Sequence, residues 1–330
     1  MEVYPDIYFL PEWGQAYQSK EHGGELRTFE VKNDCGHVYY QFIIRETPVQ
    51  TEGQKYYDII TPFGFSGPVL LACVPNKESD MIQAFNDAFQ DYCMQHRIVS
   101  EYVRFNGWIN NGKDFEGIYD KRNHGTTVFI DLTVPDFFRD EFSSNARRLV
   151  KRSRENNVEI EFDFSGASSH EFARLYGLMV EKNAVTNEYY QFTEEFIRTS
   201  FNYLSGKQFI VNAKHEGKYI ASALFLHHGD YLHSHLAAND PAYFRLAASS
   251  LITYEACRWG VDNGKKVFHL GGASNDRNLH RFKMGFTRTE PLDLLIGMKI
   301  RDHEVYNQLA SIKEKMAGSL DEDYFPLYRG

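Results

Sequence analysis

The chain has 330 residues, of which 42% are apolar, 25% charged and 15% aromatic, and its formal net charge is −9. That length suits two domains of ordinary size, and the acidic balance gives no support to a general nucleic-acid binder such as a DNA-binding protein. Cys35, Cys73, Cys93 and Cys257 show no C-x-x-C pair and no zinc-like spacing, which suits a reducing compartment.

The opening MEVYPDIYFLPEWG carries acids and prolines and does not read as a signal peptide. The longest apolar run, Val69 to Val74, is far too short to span a bilayer. A cytoplasmic protein is expected. Residues 37–46 (HVYYQFIIRE) and 56–60 read as strands, followed by a turn-forming loop with Gly64, Gly67 and Pro68. Residues 77–95 place Met81, Ile82, Phe85, Ala88, Phe89 and Tyr92 on one helical face. Strands are expected at 98–105 and 126–132, completing a first αβ half over 1–135. A second half, 136–330, opens with a helix over 136–157 and a strand over 158–162. Helices at 168–183 and 193–204 precede a meander of strands at 208–214, 218–227 and 230–237, turned at Glu216-Gly217 and Gly229-Asp230. A helix over 245–263, a strand over 266–270, a loop and a strand over 292–300 close the reading. The class is α+β with mixed α/β character.

The stretch HLGGASNDRNLHRFKMGF, residues 269–286, carries the most chemistry. A strand ends at Gly271-Gly272, where backbone can turn tightly and approach a ligand. A polar loop follows, in which Leu279, Phe282 and Phe286 alternate with Arg281 and Lys283. A cation beside an apolar wall stabilises an oxyanion; snorkelling stems on a solvated turn are the alternative. His233 and His235 alternate along one strand and are expected on the same side. They are a weak metal pair with no third ligand spaced nearby, so no metal site is expected. Arg147, Lys151 and Arg154 share a helix face, fit either for phosphates or for water alone. No G-x-S-x-G elbow, P-loop or Rossmann fingerprint occurs, which argues against hydrolase, kinase and dehydrogenase chemistry.

The meander, helix and further strand of the second half follow the order of the GNAT acyltransferase core. More specifically, HLGGASNDRNLHRFKMGF resembles the C-terminal signature of the Fem family of aminoacyltransferases: strand, Gly-Gly, spacer and a Leu-x-x-Phe-Lys-x-x-Phe run. DIITPFGFSGPVL (58–70) is similar to the family's Tyr-Gly-Tyr-Gly-Gly-Pro segment, with Phe63 and Phe65 at the Tyr positions and Ser66 at a Gly. SSNARRLVKRSRENNVEIEF (143–162) resembles its Arg-rich helix and following strand, with Asn157 at a usual Gly, and YLHSHLAANDP (231–241) resembles the strand before its last helix. The similarities span roughly residues 40–300.

The resemblance implies two tandem GNAT-like domains, here without the long coiled-coil arm of some members. It implies transfer of an activated amino acid from aminoacyl-tRNA to an amine of a cell-envelope or secondary-metabolite precursor, with no resident cofactor. Phe282 and Lys283 match the family's Phe-Lys pair, Lys283 holding the oxyanion; His235 and Asp276 are candidates for the amine proton. Arg281, Gly271, Gly272, Tyr190 and the basic face of Arg147, Lys151 and Arg154 are candidate substrate contacts, the acceptor being small, nucleotide-linked or lipid-linked, with peripheral membrane contact in the last case. Arg245 opens the stretch Arg245 to Ser250, where GNAT enzymes bind the CoA pyrophosphate, but both glycines of that loop are missing. An acyl-CoA-dependent N-acetyltransferase and a non-catalytic GNAT-like binding module are the rival readings.

Overall fold

The computed structural model describes residues 4–21, 23–51, 53–182, 188–272 and 276–330. In chain order the elements are α1 (Pro11–Tyr17), β1 (Glu25–Asn33), β2 (Gly36–Glu46), β3 (Tyr57–Ile60), β4 (Val69–Cys73), α2 (Glu78–Gln95), β5 (Ile98–Arg104), α3 (Asn111–Asp114) and β6 (Asp120–Asp131). Then come α4 (Phe137–Asp140), α5 (Ser144–Glu155), β7 (Glu159–Asp163), α6 (Ser169–Lys182), α7 (Glu194–Tyr203), β8 (Gln208–His215), β9 (Lys218–His228) and β10 (Tyr231–Asn239). The remainder is α8 (Ala248–Asp262), β11 (Val267–Gly272), α9 (Arg277–Met284), β12 (Leu292–Ile300) and α10 (His303–Ala317). The fold is α+β, with two αβ units in tandem.

One unit comprises residues 1–124 with 293–330, the other residues 125–292. The sequence reading divides the chain once, at 135/136, and assigns 293–330 to the second half; the contacts assign that segment to the first. The reason is pairing and charge. β12 lies antiparallel to β5, from Ile296 opposite Arg104 to Ile300 opposite Ser100. Arg301 then donates to Glu101, both side chains fully buried, and a buried carboxylate without its cation is costly. In this unit the strand order is β1-β2-β3-β5-β12, with β4 also on β2. α2 lays Met81, Phe85 and Phe89 into a core with Tyr40, Phe42, Ile59 and Val103, as its helical spacing requires.

In the second unit the strand order is β6-β11-β10-β9-β8-β7, with β10 and β11 parallel and the other pairs antiparallel. Val128, Ile130, Phe209, Val211, Ala223 and Phe225 pack with Val150 of α5 and Leu251 and Ile252 of α8. α6 packs on β9 and β10; the intervening residues Leu224 and Leu226 point to the other side of the strand.

Two local expectations are corrected. The helix expected over 136–157 is broken into α4 and α5, because Ser143 caps a new start by accepting from the Ala146 N–H. The polar loop expected after Gly272 contains helix α9, capped by Asp276. Leu279, Phe282, Lys283 and Phe286 recur at three- and four-residue intervals, a helical period hidden by apparent alternation with Arg281.

Candidate functional site

The site begins where two strands part. β10 and β11 pair only from Tyr231–His233 to Val267–His269, although β10 runs on to Asn239 and β11 to Gly272. Each strand carries an irregularity just past the last pair: between Ser234 and Leu236 against β9, and between His269 and Gly271 against β6. The extra residues are His235 and Leu270, and both line a cavity of about 590 Å³. Bulges re-aim side chains in this way. They also overturn the expected sidedness of the two histidines. His235 faces the cavity, whereas His233 is fully buried off it, its Nδ1 3.3 Å from Nδ1 of His269, which in turn bonds the Thr127 hydroxyl.

α9 brings Leu279, Phe282, Lys283 and the following Phe286 to the cavity wall. The rings of Phe282 and Phe286 meet edge-on at 4.9 Å. Lys283 Nζ donates to the Gly272 carbonyl at 2.8 Å, and burial lowers its pKa from 10.5 to about 8. Gly271 makes that approach feasible. Its φ is +78°, and a Cβ there would stand 3.3 Å from Lys283 Nζ. Thus the glycine pair, the phenylalanine and the lysine come together as one constellation: a partly desolvated ammonium at the mouth of a strand split, against aromatic walls.

The other candidates separate. Asp276 is exposed and accepts from the Asn278 and Leu279 N–H groups as the α9 cap, away from the cavity lining. Burial first, and then the neighbouring His233, lower the His235 pKa to about 3, so its imidazole is neutral and a weak proton acceptor. Arg281 lines a smaller recess of about 210 Å³ with Asn145, Asn278 and Phe282. Arg147 is turned back onto its own chain, donating to the carbonyls of Arg139 and Phe142 and to the Ser144 hydroxyl. Arg154 pairs with Glu255 at 2.9 Å and lies over the Tyr254 ring. Lys151 is exposed. Tyr190 is half exposed and outside the cavity lining, but its carbonyl accepts from the hydroxyl of Tyr176, which is on the wall. Residues 183–187 and 273–275, parts of the EKNAVTNEYY and Gly-Gly stretches, lie outside the described residues.

Arg245 is exposed on a 3-10 turn, Pro241–Leu246, that leads into α8. Ala247 takes the left-handed conformation at the cap of α8 and no side chain caps the helix. Residues 247–250 line the cavity. Sequence reasoning missed Tyr176, Met179, Ser222 and Asn239, which also line it. Ser222 lies in the apolar run ASALFLH, where its single hydroxyl was the only signal. Among the described residues no group of three His, Cys, Asp or Glu is arranged to hold a metal ion. Among them, too, no helix is long and apolar enough to cross a membrane.

Residues 138–284 match the profile of the acetyltransferase (GNAT) domain family. The second unit is thus similar to a GNAT acyltransferase domain over most of its length. As a whole the chain has a Fem-like tandem fold: it is similar over 93% of its length to 96% of FemX, with a TM-score of 0.73 and 12% identity. It is also similar to L-PGS from Bacillus licheniformis, with a TM-score of 0.52, 15% identity and coverage of 94% and 97%. A tandem GNAT protein from the clavulanic acid biosynthesis pathway, solved without AcCoA, superimposes with a TM-score of 0.50, 8% identity and coverage of 85% and 84%. No curated protein matches the chain in sequence.

Proposed function

We propose that the protein forms an amide by moving an aminoacyl group from aminoacyl-tRNA to an amine of a cell-envelope or secondary-metabolite precursor, without a resident cofactor. The observation that carries this reading is the Lys283 ammonium, partly buried at the strand split and held by the Gly272 carbonyl. One of its three N–H donors is used there, which leaves donors for a carbonyl oxygen in the cavity. The amine nitrogen attacks the ester carbonyl, the C–N bond forms, and the carbonyl oxygen gains charge that Lys283 stabilises. The C–O bond then breaks. The amine loses one proton and the departing ribose oxygen takes one. Asp276 is committed to its cap and His235 is a weak acceptor, so neither of them is assigned this proton, and transfer within the substrate is the route proposed. The donor and the envelope acceptor are those implied by the Fem resemblance of residues 269–286, with which the likeness to the FemX fold agrees.

Acyl-CoA is the competing donor. The uncapped N-terminus of α8 on the cavity wall favours an anion such as a pyrophosphate. Ala247, Ala248 and Ser250, however, put side chains where a close backbone approach needs glycine. Acetyl-CoA should therefore bind weakly in calorimetry; sub-micromolar binding would transfer the reading to an N-acetyltransferase. The test of the main reading is mass spectrometry after mixing the protein with charged tRNAs, acyl-CoAs and candidate amines. An aminoacyl-tRNA-dependent amide is the expected product.

A further inference from the structure

A buried polar chain runs from the edge of the second unit to the cavity. At its far end Asp163 accepts five hydrogen bonds: from the N–H groups of Ser165, Gly166 and Ser168 and from the hydroxyls of Ser165 and Ser168. Both carboxylate oxygens act as acceptors and neither donates, the pattern of an ionised group. The Ser168 hydroxyl therefore spends its proton on Asp163, at 2.7 Å. Its oxygen must accept the next bond, and it does so from Asn212 Nδ2 at 2.8 Å. That choice orients the amide, so Asn212 Oδ1 accepts from the Ser222 hydroxyl at 2.7 Å. Ser168, Asn212 and Ser222 are all buried. Ser222 lines the cavity beside Tyr176 and Met179 of α6, whereas Asp163 and Asn212 do not.

One anion thus sets the direction of every proton in the chain. The Ser222 proton is committed inward, and its oxygen keeps only acceptor capacity. Most of the cavity wall as a whole is apolar, including Ala223, Phe225, Leu236 and Ile252. A ligand group that hydrogen-bonds Ser222 must then be a donor, and positive charge suits a chain that ends in a carboxylate. In amide formation both substrates carry such a group: the α-amine of the transferred aminoacyl unit and the attacking amine.

We propose that Ser222 is a binding residue for a primary amine of the substrate, its oxygen accepting an N–H inside the cavity. This rests on the aminoacyl-transfer reading above. The test uses calorimetry on the intact protein with two probe pairs. Adenosine bearing a 3′-amide-linked alanyl group is compared with the same nucleoside bearing a propionyl group, for the α-amine. Lysine amide is compared with norleucine amide, for the attacking amine. In one arm the amine-bearing probe should bind at least about tenfold more tightly than its twin. Ser222→Ala should bring it down to the level of the twin and leave the twin unchanged. Ser222→Cys keeps the volume and supplies a poor acceptor, so it should behave likewise while melting near the wild type. Discrimination that survives both substitutions, or is absent in both arms, overturns the assignment of Ser222 alone. If no adenosine or amine probe binds the wild type, the aminoacyl-transfer reading falls and the assignment falls with it.

Discussion

Replacing Lys283 by Met tests the centre of the site, because it keeps most of the side-chain volume and removes the charge. The structure allows two magnitudes to be worked. Burial moves the ammonium from its ordinary 10.5 to about 8, so the folded chain carries a penalty of about 3 kcal/mol for keeping it charged. Below pH 8 that penalty is present in full. Between pH 8 and 10.5 the unfolded chain holds the proton that the folded chain has released, so wild-type stability rises with pH. Lys283→Met has no such term. Against this, it strands the Gly272 carbonyl, which costs about 1–3 kcal/mol if water does not reach it. The variant should therefore fold as well as the wild type at pH 7, and lose ground relative to it by up to about 3 kcal/mol as pH rises to 10.5. Its transfer rate should fall about a hundredfold or more. Wild-type turnover should decline above pH 8, as the ammonium is lost. Lys283→Arg should recover only part of the rate, because a planar guanidinium cannot repeat the fit beside Gly271. Denaturant titrations at pH 7 and 10, with steady-state product formation by mass spectrometry, measure both effects. Near-wild-type turnover in Lys283→Met, or a stability difference independent of pH, would refute the reasoning.

Gly271→Ala should destabilise by about 1–2 kcal/mol, from the left-handed backbone alone, and should lower kcat more than it raises KM by displacing the ammonium; thermal melts and kinetics read the two separately. On α5 the basic residues should part company. Arg147→Glu should destabilise by about 1–3 kcal/mol, since Arg147 holds two backbone carbonyls, whereas the exposed Lys151→Glu should leave the melting temperature within a degree or two. If a phosphate-bearing substrate meets this face, Lys151→Glu should flatten the salt dependence of its binding by about one charge; an unchanged slope would return the face to solvent.

Periodicity made the buried strands and long helices legible. HVYYQFIIRE and the meander from Gln208 to Asn239 are dense in β-formers and punctuated by glycine, and both lie within a residue or two of their expected bounds. β1 was not legible, because its half-exposed residues ELRTFEVKN show no clean alternation. α9 was missed because eight residues are too few for a period to declare itself beside a glycine turn. At the site, motif order singled out Lys283, Phe282 and the glycine pair, and the fold places them side by side. Asp276 and Arg147 were chosen for their charge, and in the fold their charge caps and braces backbone instead. Spacing cannot distinguish a side chain aimed at a ligand from one aimed at its own chain. Nor could a period of two anticipate the bulge that turns His235 away from the side of His233.

The return of residues 293–330 to the first unit has a consequence for the order in which the chain is built. Residues 125–292 are contiguous, so the whole unit has been synthesised once Leu292 has left the ribosome. The first unit is synthesised first and finishes last. Its strand β5 waits with an open edge for β12, and Glu101 waits in water for Arg301. Such an exposed edge is a site for mispairing during the interval. Early termination anywhere in 293–330 would thus damage the beginning of the chain, while the domain that carries Lys283 keeps all of its own strands.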